Sequence, residues 1–175
     1  MAGNRDMIHN ISPLSILNHY PDLPSIRQEP SWTEPWCIKI RSVKLIFMKK
    51  KIETQNAPRA IGPYSQAIAA KDFLFISGQL PLNPESGEME KRVGPATQLV
   101  IDHLEAILKA HGMTLENVVR TDVFLANFDD FQEMNEAYAA RFNSEAPPAR
   151  QTIQAVRLPK DAVIEISCIA AHLLI

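Results

Sequence analysis

Cysteine is nearly missing: Cys37 and Cys168 are the only two among 175 residues, and no CxxC spacing exists. That excludes a disulfide scaffold and suggests neither a zinc site nor a dithiol motif, so a reducing, cytoplasmic setting is expected. Runs of 18 or more apolar residues are also lacking, and the first thirty residues hold no continuous apolar stretch behind a basic start. Neither a membrane-spanning helix nor a signal peptide is expected, and no membrane partner. Charge of one sign is not in excess either. With 18 basic and 20 acidic side chains, a formal charge of −2 and a pI near 6.2, no basic field is available to gather phosphate backbone, and nucleic acid is not an expected partner. No phosphate loop, dinucleotide fingerprint, Ser/His/Asp order or paired metal-ligand motif occurs, so no metal site is suggested. What the chain does have is the apolar share of a globular protein, 46%.

Composition changes sharply near position 48. Residues 1–47 carry five of the thirteen prolines, both tryptophans and Cys37, and show no sustained period beyond the short apolar run 43–47. This segment is read as an N-terminal extension, either upstream in-frame translation or a tail lying over the domain, with a flexible, partner-binding arm anchored by Trp32 and Trp36 as the alternative. Met48 is then followed by three lysines, and residues 48–175 read as the folded domain. That domain holds thirteen basic and sixteen acidic side chains, a formal charge of −3.

Within it, residues 50–54 suit a short edge strand, and 57–64 form a loop with two prolines and a glycine. Residues 65–70 and 73–77 alternate as two strands of a hairpin turned by Lys71-Asp72. A long loop is expected over 78–95, where Pro81, Pro84, Gly87, Gly94 and Pro95 fall. Apolar residues at helical spacing predict one helix over 96–111, ended by Gly112, and a second over 129–142. Strands are expected at 118–125, 149–156 and 162–174. Such an order gives an α+β domain, a six-stranded, mostly antiparallel sheet with both helices on one face. The last strand sets Ile164, Ile166, Cys168 and Ala170 on one side. Val163, Glu165, Ser167, Ile169 and Ala171, still half apolar, lie on the other, which suits burial against another subunit. Cys168 is read as a small core hydrophobe, and His103 and His111 as solvated or capping side chains.

Two charged residues sit among apolar neighbours in the strands. Arg150 offers a permanently charged fork of donors suited to clamping a carboxylate. Glu165, between Ile164 and Ile166, would lose solvation and acquire a raised pKa fit for proton transfer. From residue types alone, a structural ion pair between them on neighbouring strands, or two unrelated surface charges, is the favoured reading.

Five stretches change that balance: Ile61-Gly62-Pro63-Tyr64-Ser65-Gln66-Ala67, Phe75-Ile76-Ser77-Gly78-Gln79-Leu80-Pro81, Pro148-Ala149-Arg150, Arg157-Leu158-Pro159-Lys160-Asp161-Ala162 and Ile164-Glu165-Ile166. Together, in this order, they resemble the RidA (YjgF) family of reactive enamine/imine deaminases across 49–175. The resemblance implies a chorismate mutase-like fold in a homotrimer with the sheets lining a central barrel, active sites in clefts between subunits, and no cofactor. Arg150 would bind the substrate carboxylate and Glu165 would position or activate a water. Tyr64 would close the pocket, with Ser77 and the Gly78 backbone adding hydrogen bonds. After the arginine many relatives have Ser and then Cys; here Gln151 and Thr152 stand instead, so Thr152 would line the substrate pocket with a hydroxyl and no thiolate. The implied activity is hydrolysis of 2-enamino or 2-imino acids to 2-oxo acids and ammonia. A non-catalytic binding module for small carboxylic acids, or the ribonuclease and translation-inhibitor activities for which relatives have been named, are the alternatives.

Overall fold

The computed structural model describes residues 49–172. The extension 1–47 and the expected end of the last strand at 173–174 lie outside these described residues. Six strands, β1 (Lys50–Ile52), β2 (Ala67–Ala70), β3 (Phe73–Gln79), β4 (Val118–Leu125), β5 (Ala149–Gln154) and β6 (Ile164–Ala171), form one sheet in the order β1-β2-β3-β6-β4-β5. All pairs are antiparallel except β4 with β5, which run parallel because the chain crosses over through a helix between them. The helices are α1 (Val93–Ala110) and α2 (Phe131–Ala139).

Alternation in the strands decides which face meets the helices. Ile164, Ile166, Cys168 and Ala170 of β6 are buried, as are Leu74 and Ile76 of β3 and Val123 and Leu125 of β4. Against them α1 sets Val100, Ile101, Leu104, Ile107 and Leu108, all without solvent exposure, at the spacing of a single helical face. The opposite sheet face keeps Phe73 and Phe75 at 45% exposure and Ile153 at 47%.

Boundaries differ from the sequence expectation in instructive ways. Helix α1 begins three residues early, with Gly94 and Pro95 inside its first turn, where a proline's missing N–H would have had no partner anyway. The second helix is shorter than 129–142, because its start is a tight 3-10 turn at Phe128–Asp130 capped by Asn127 Oδ1 accepting from the Asp129 N–H. Strand β3 runs two residues further than expected and bulges between Ile76 and Gln79. Strand β2 starts two residues late, and Gln66 just before it pins the preceding loop: its buried Nε2 donates to the carbonyls of Thr54, Ala57 and Pro58, and its Oε1 accepts from the Thr54 N–H. His103 is buried rather than solvated, its Nδ1 lying 3.2 Å from the Leu80 carbonyl. Burial holds its pKa below the usual histidine value, so it fixes the start of the 80–92 loop as a neutral ring. No helix among the described residues is long and apolar enough to cross a membrane.

Candidate functional site

Strand order corrects one expectation directly. Arg150 and Glu165 are not on neighbouring strands, because β4 lies between β5 and β6. Arg150 pairs with Thr121 of β4, whereas Glu165 pairs with Phe124 on the other side of the same strand. The two side chains also leave the sheet on opposite faces. Glu165 alternates with the buried residues of β6 and so projects from the face away from the helices. Arg150 projects toward α2, where its Nη2 donates to Asn135 Oδ1 at 2.8 Å and its guanidinium carbon stands 4.6 Å from the Tyr138 ring centroid. A structural ion pair within one chain is therefore excluded.

Around Glu165 the structure gathers Ser77 and Gly78. The bulge in β3 brings the Gly78 backbone beneath the carboxylate so closely that a Cβ there would stand 1.8 Å from Oε1. Here a glycine is needed for close approach. Desolvation raises the Glu165 pKa, and no cation or hydrogen bond among the described residues offsets it. Ser77 Oγ donates to the Ser65 carbonyl at 2.7 Å, tying the bulge to the loop that carries Tyr64. Tyr64 is 53% exposed, its hydroxyl accepting a long 3.4 Å contact from the Ile61 N–H, and it lines a cavity of about 410 Å³ with Lys51, Arg59 and Gln66. Gln66, which residue-type reasoning had assigned no role, is what shapes this loop. A glutamine at the end of a proline-rich loop was the available signal.

Around Arg150 the partners come from α2 and β5. Among the described residues no carboxylate lies within 4.0 Å of the guanidinium, in contrast to Arg141, which bridges Asp102 and Glu105, and Arg157, which pairs with Asp161. Thr152, two residues on and on the same face, keeps a buried Oγ1 with no hydrogen-bond partner. A small cleft of about 240 Å³ opens at this edge, lined by Arg120, Ala149, Arg150 and Gln151. Cys168 is 2% exposed and its thiol is pushed up to about 12 by burial, which removes it as a nucleophile. No cluster of three potential metal ligands occurs among the described residues.

A family model described as endoribonuclease L-PSP matches residues 54–172. An imine deaminase of Escherichia coli, named for 2-iminobutanoate and 2-iminopropanoate, is 40% identical over 127 residues, 71% of this chain and 99% of that protein. The chain belongs to the RidA family. A RutC family protein of Pyrococcus horikoshii is 48% identical over 124 residues, covering 70% of this chain and 98% of its own. Among solved structures, E. coli TdcF with bound serine superposes at a TM-score of 0.68 with 38% identity, covering 71% of this RidA-family chain and all of TdcF. The α+β architecture expected from the sequence is thus the fold of the RidA family.

Proposed function

We propose that this protein hydrolyses reactive 2-enamino and 2-imino acids to 2-oxo acids and ammonia, in a site shared between copies of the chain in a homotrimer. The observation that carries this reading is the state of Arg150: a permanently charged fork that donates to the neutral Asn135 and meets no carboxylate among the described residues. A substrate carboxylate supplies what it lacks, and the orphaned Thr152 hydroxyl beside it offers a further hydrogen bond. Glu165 supports the same reading from the other face, as a carboxyl whose raised pKa suits a base working near neutrality. Since Arg150 and Glu165 leave the sheet on opposite faces, one substrate meets both only if they come from different copies. The half-apolar face with Phe73 and Phe75 suits such packing. The relative named an imine deaminase and the serine bound to TdcF support the substrate class.

Few chemical steps are required. The enamine tautomerises to the imine, and Arg150 fixes its carboxylate while Tyr64 closes the pocket and Ser77 with the Gly78 N–H orients it. The imine reacts as its protonated iminium: Glu165 takes a proton from water as the oxygen attacks C2, which gives a neutral carbinolamine. Glu165 returns that proton to nitrogen, and as the C–N bond breaks the hydroxyl proton passes back to the Glu165 carboxylate, the carbonyl forms, and ammonia leaves carrying the iminium's proton. Positioning and one general base contribute roughly 10² to 10⁴ fold, enough for a reaction already fast without catalysis. No cofactor enters these steps, and the reading places the reaction in a reducing cytoplasm.

Coupled turnover tests it. A threonine dehydratase generates the iminoacid in situ, and release of 2-oxobutanoate is followed with and without this protein. Arg150→Ala is expected to lose at least about 2 kcal/mol of transition-state stabilisation, roughly thirtyfold in rate, with the assembly intact. No acceleration by the wild type leaves the binding-module reading. Activity within threefold for the variant removes Arg150 from the site. Salt-dependent RNA binding would instead favour the ribonuclease reading, against which the domain's charge of −3 weighs.

A further inference from the structure

Helix α2 turns one face toward β5, and three residues of that face surround the guanidinium of Arg150. Phe131, Asn135 and Tyr138 are spaced four and three apart, so they stack along one side of the helix. Asn135 Oδ1 accepts from Nη2 at 2.8 Å, and the Tyr138 and Phe131 rings lie 4.6 and 6.0 Å from the guanidinium carbon. The Tyr138 ring is itself immobilised. Its hydroxyl lies 2.7 Å from Thr121 Oγ1, and its face stacks on Phe142 at 4.5 Å between centroids. Burial raises its pKa, so it remains a neutral phenol beneath the cation.

None of these three groups carries charge. The carboxylates of the same helix are turned elsewhere: Glu133 accepts from the Gly94 N–H at 3.0 Å, and Glu136 accepts from Gln132 at 2.9 Å. An asparagine at the one polar position of the stripe holds the fork with a single hydrogen bond, and no carboxylate among the described residues compensates its charge. An aspartate of the same shape there would form a charge-assisted pair and occupy the fork internally.

We propose that Asn135 is a positioning residue for Arg150, one that orients the guanidinium through a neutral acceptor over the Tyr138 ring and thereby keeps its charge available to a ligand carboxylate. This rests on the proposed role of Arg150 as carboxylate clamp, and the test separates the two. In the full-length protein, rotation of the Arg150 guanidinium is read by nitrogen-15 NMR without ligand, and 2-oxobutanoate affinity by calorimetry. The wild type is expected to show two distinct, slowly exchanging Nη signals for Arg150. Asn135→Ala should merge them and weaken 2-oxobutanoate at least tenfold. Asn135→Asp should keep them distinct yet weaken 2-oxobutanoate at least tenfold at pH 7.5, with Asn135→Gln closer to wild type than either. Unchanged Nη signals in Asn135→Ala overturn the positioning role, and Asn135→Asp binding within twofold of wild type overturns the need for a neutral partner. If the wild type binds no 2-oxobutanoate while Asn135→Ala still frees the guanidinium, positioning stands and the carboxylate reading of Arg150 falls.

Discussion

At Glu165 a single carboxyl group lies half-buried over a glycine, and burial alone acts on its proton affinity. A raised native pKa means that ionisation costs folding free energy above that pKa and none below the ordinary carboxylate range. Glu165→Gln, which cannot ionise, is therefore expected to melt higher than wild type at neutral pH, the difference closing as pH falls. Thermal melts across pH 4 to 8 check the sign. The same variant should lose about tenfold or more in turnover, the scale of a missing general base, with 2-oxobutanoate affinity altered less than threefold. Weakened binding with turnover retained at saturation would assign the carboxylate to structure and leave the attacking water without a protein base. Cys168 poses the converse case, since burial withholds its reactivity. In a Cys37→Ser background it should resist a thiol-reactive disulfide at pH 8 and react only on unfolding. Rapid native labelling would show that the sheet opens locally.

Among the elements, the bulged end of β3 and the loop pinned by Gln66 do most to shape the candidate site around Glu165. The bulge sets the Gly78 backbone under Glu165 and lets Ser77 reach back to the Ser65 carbonyl. Gly78→Ala puts a methyl group within 1.8 Å of Oε1, 2.7 Å of Cδ and 2.9 Å of Cγ, so the side chain of Glu165 must swing away. Because that side chain is flexible and ends at a half-open face, the expected outcome is a loss of turnover of about tenfold or more with little change in melting temperature. Wild-type activity would mean the carboxylate need not sit over the bulge. The helices α1 and α2 were legible because Leu104, Ile107 and Leu108, like Met134 and Tyr138, recur at helical spacing. Their starts were less so, as Gly94 and Pro95 read as loop residues and only the free first turn of α1 accommodates them.

For the whole molecule, the proposed function requires further copies of the chain, since Arg150 and Glu165 leave the sheet on opposite faces, and the exposed face carrying Phe73, Phe75 and Ile153 offers a surface for them. The segment 1–47 is expected to be dispensable for that assembly, since every motif begins after Met48. Deleting it should leave a trimer by light scattering and turnover within twofold of full length. An insoluble or monomeric product would move the domain boundary upstream.

Sequence by itself determined the element types, the apolar face of each and the identity of Arg150 and Glu165 as the charged residues to watch, because periodicity and residue chemistry are local properties. It could not determine which strands lie side by side. Arg150 and Glu165, fifteen positions apart on consecutive strands, read as neighbours; β4 separates them because the parallel crossover through α2 puts β5 on the outer edge of the sheet. Asn135 stayed invisible for the same reason, since a helix residue acquires a role toward β5 only once packing has chosen which side of α2 meets that strand. Pairing and packing are long-range, and only the tertiary structure decided them.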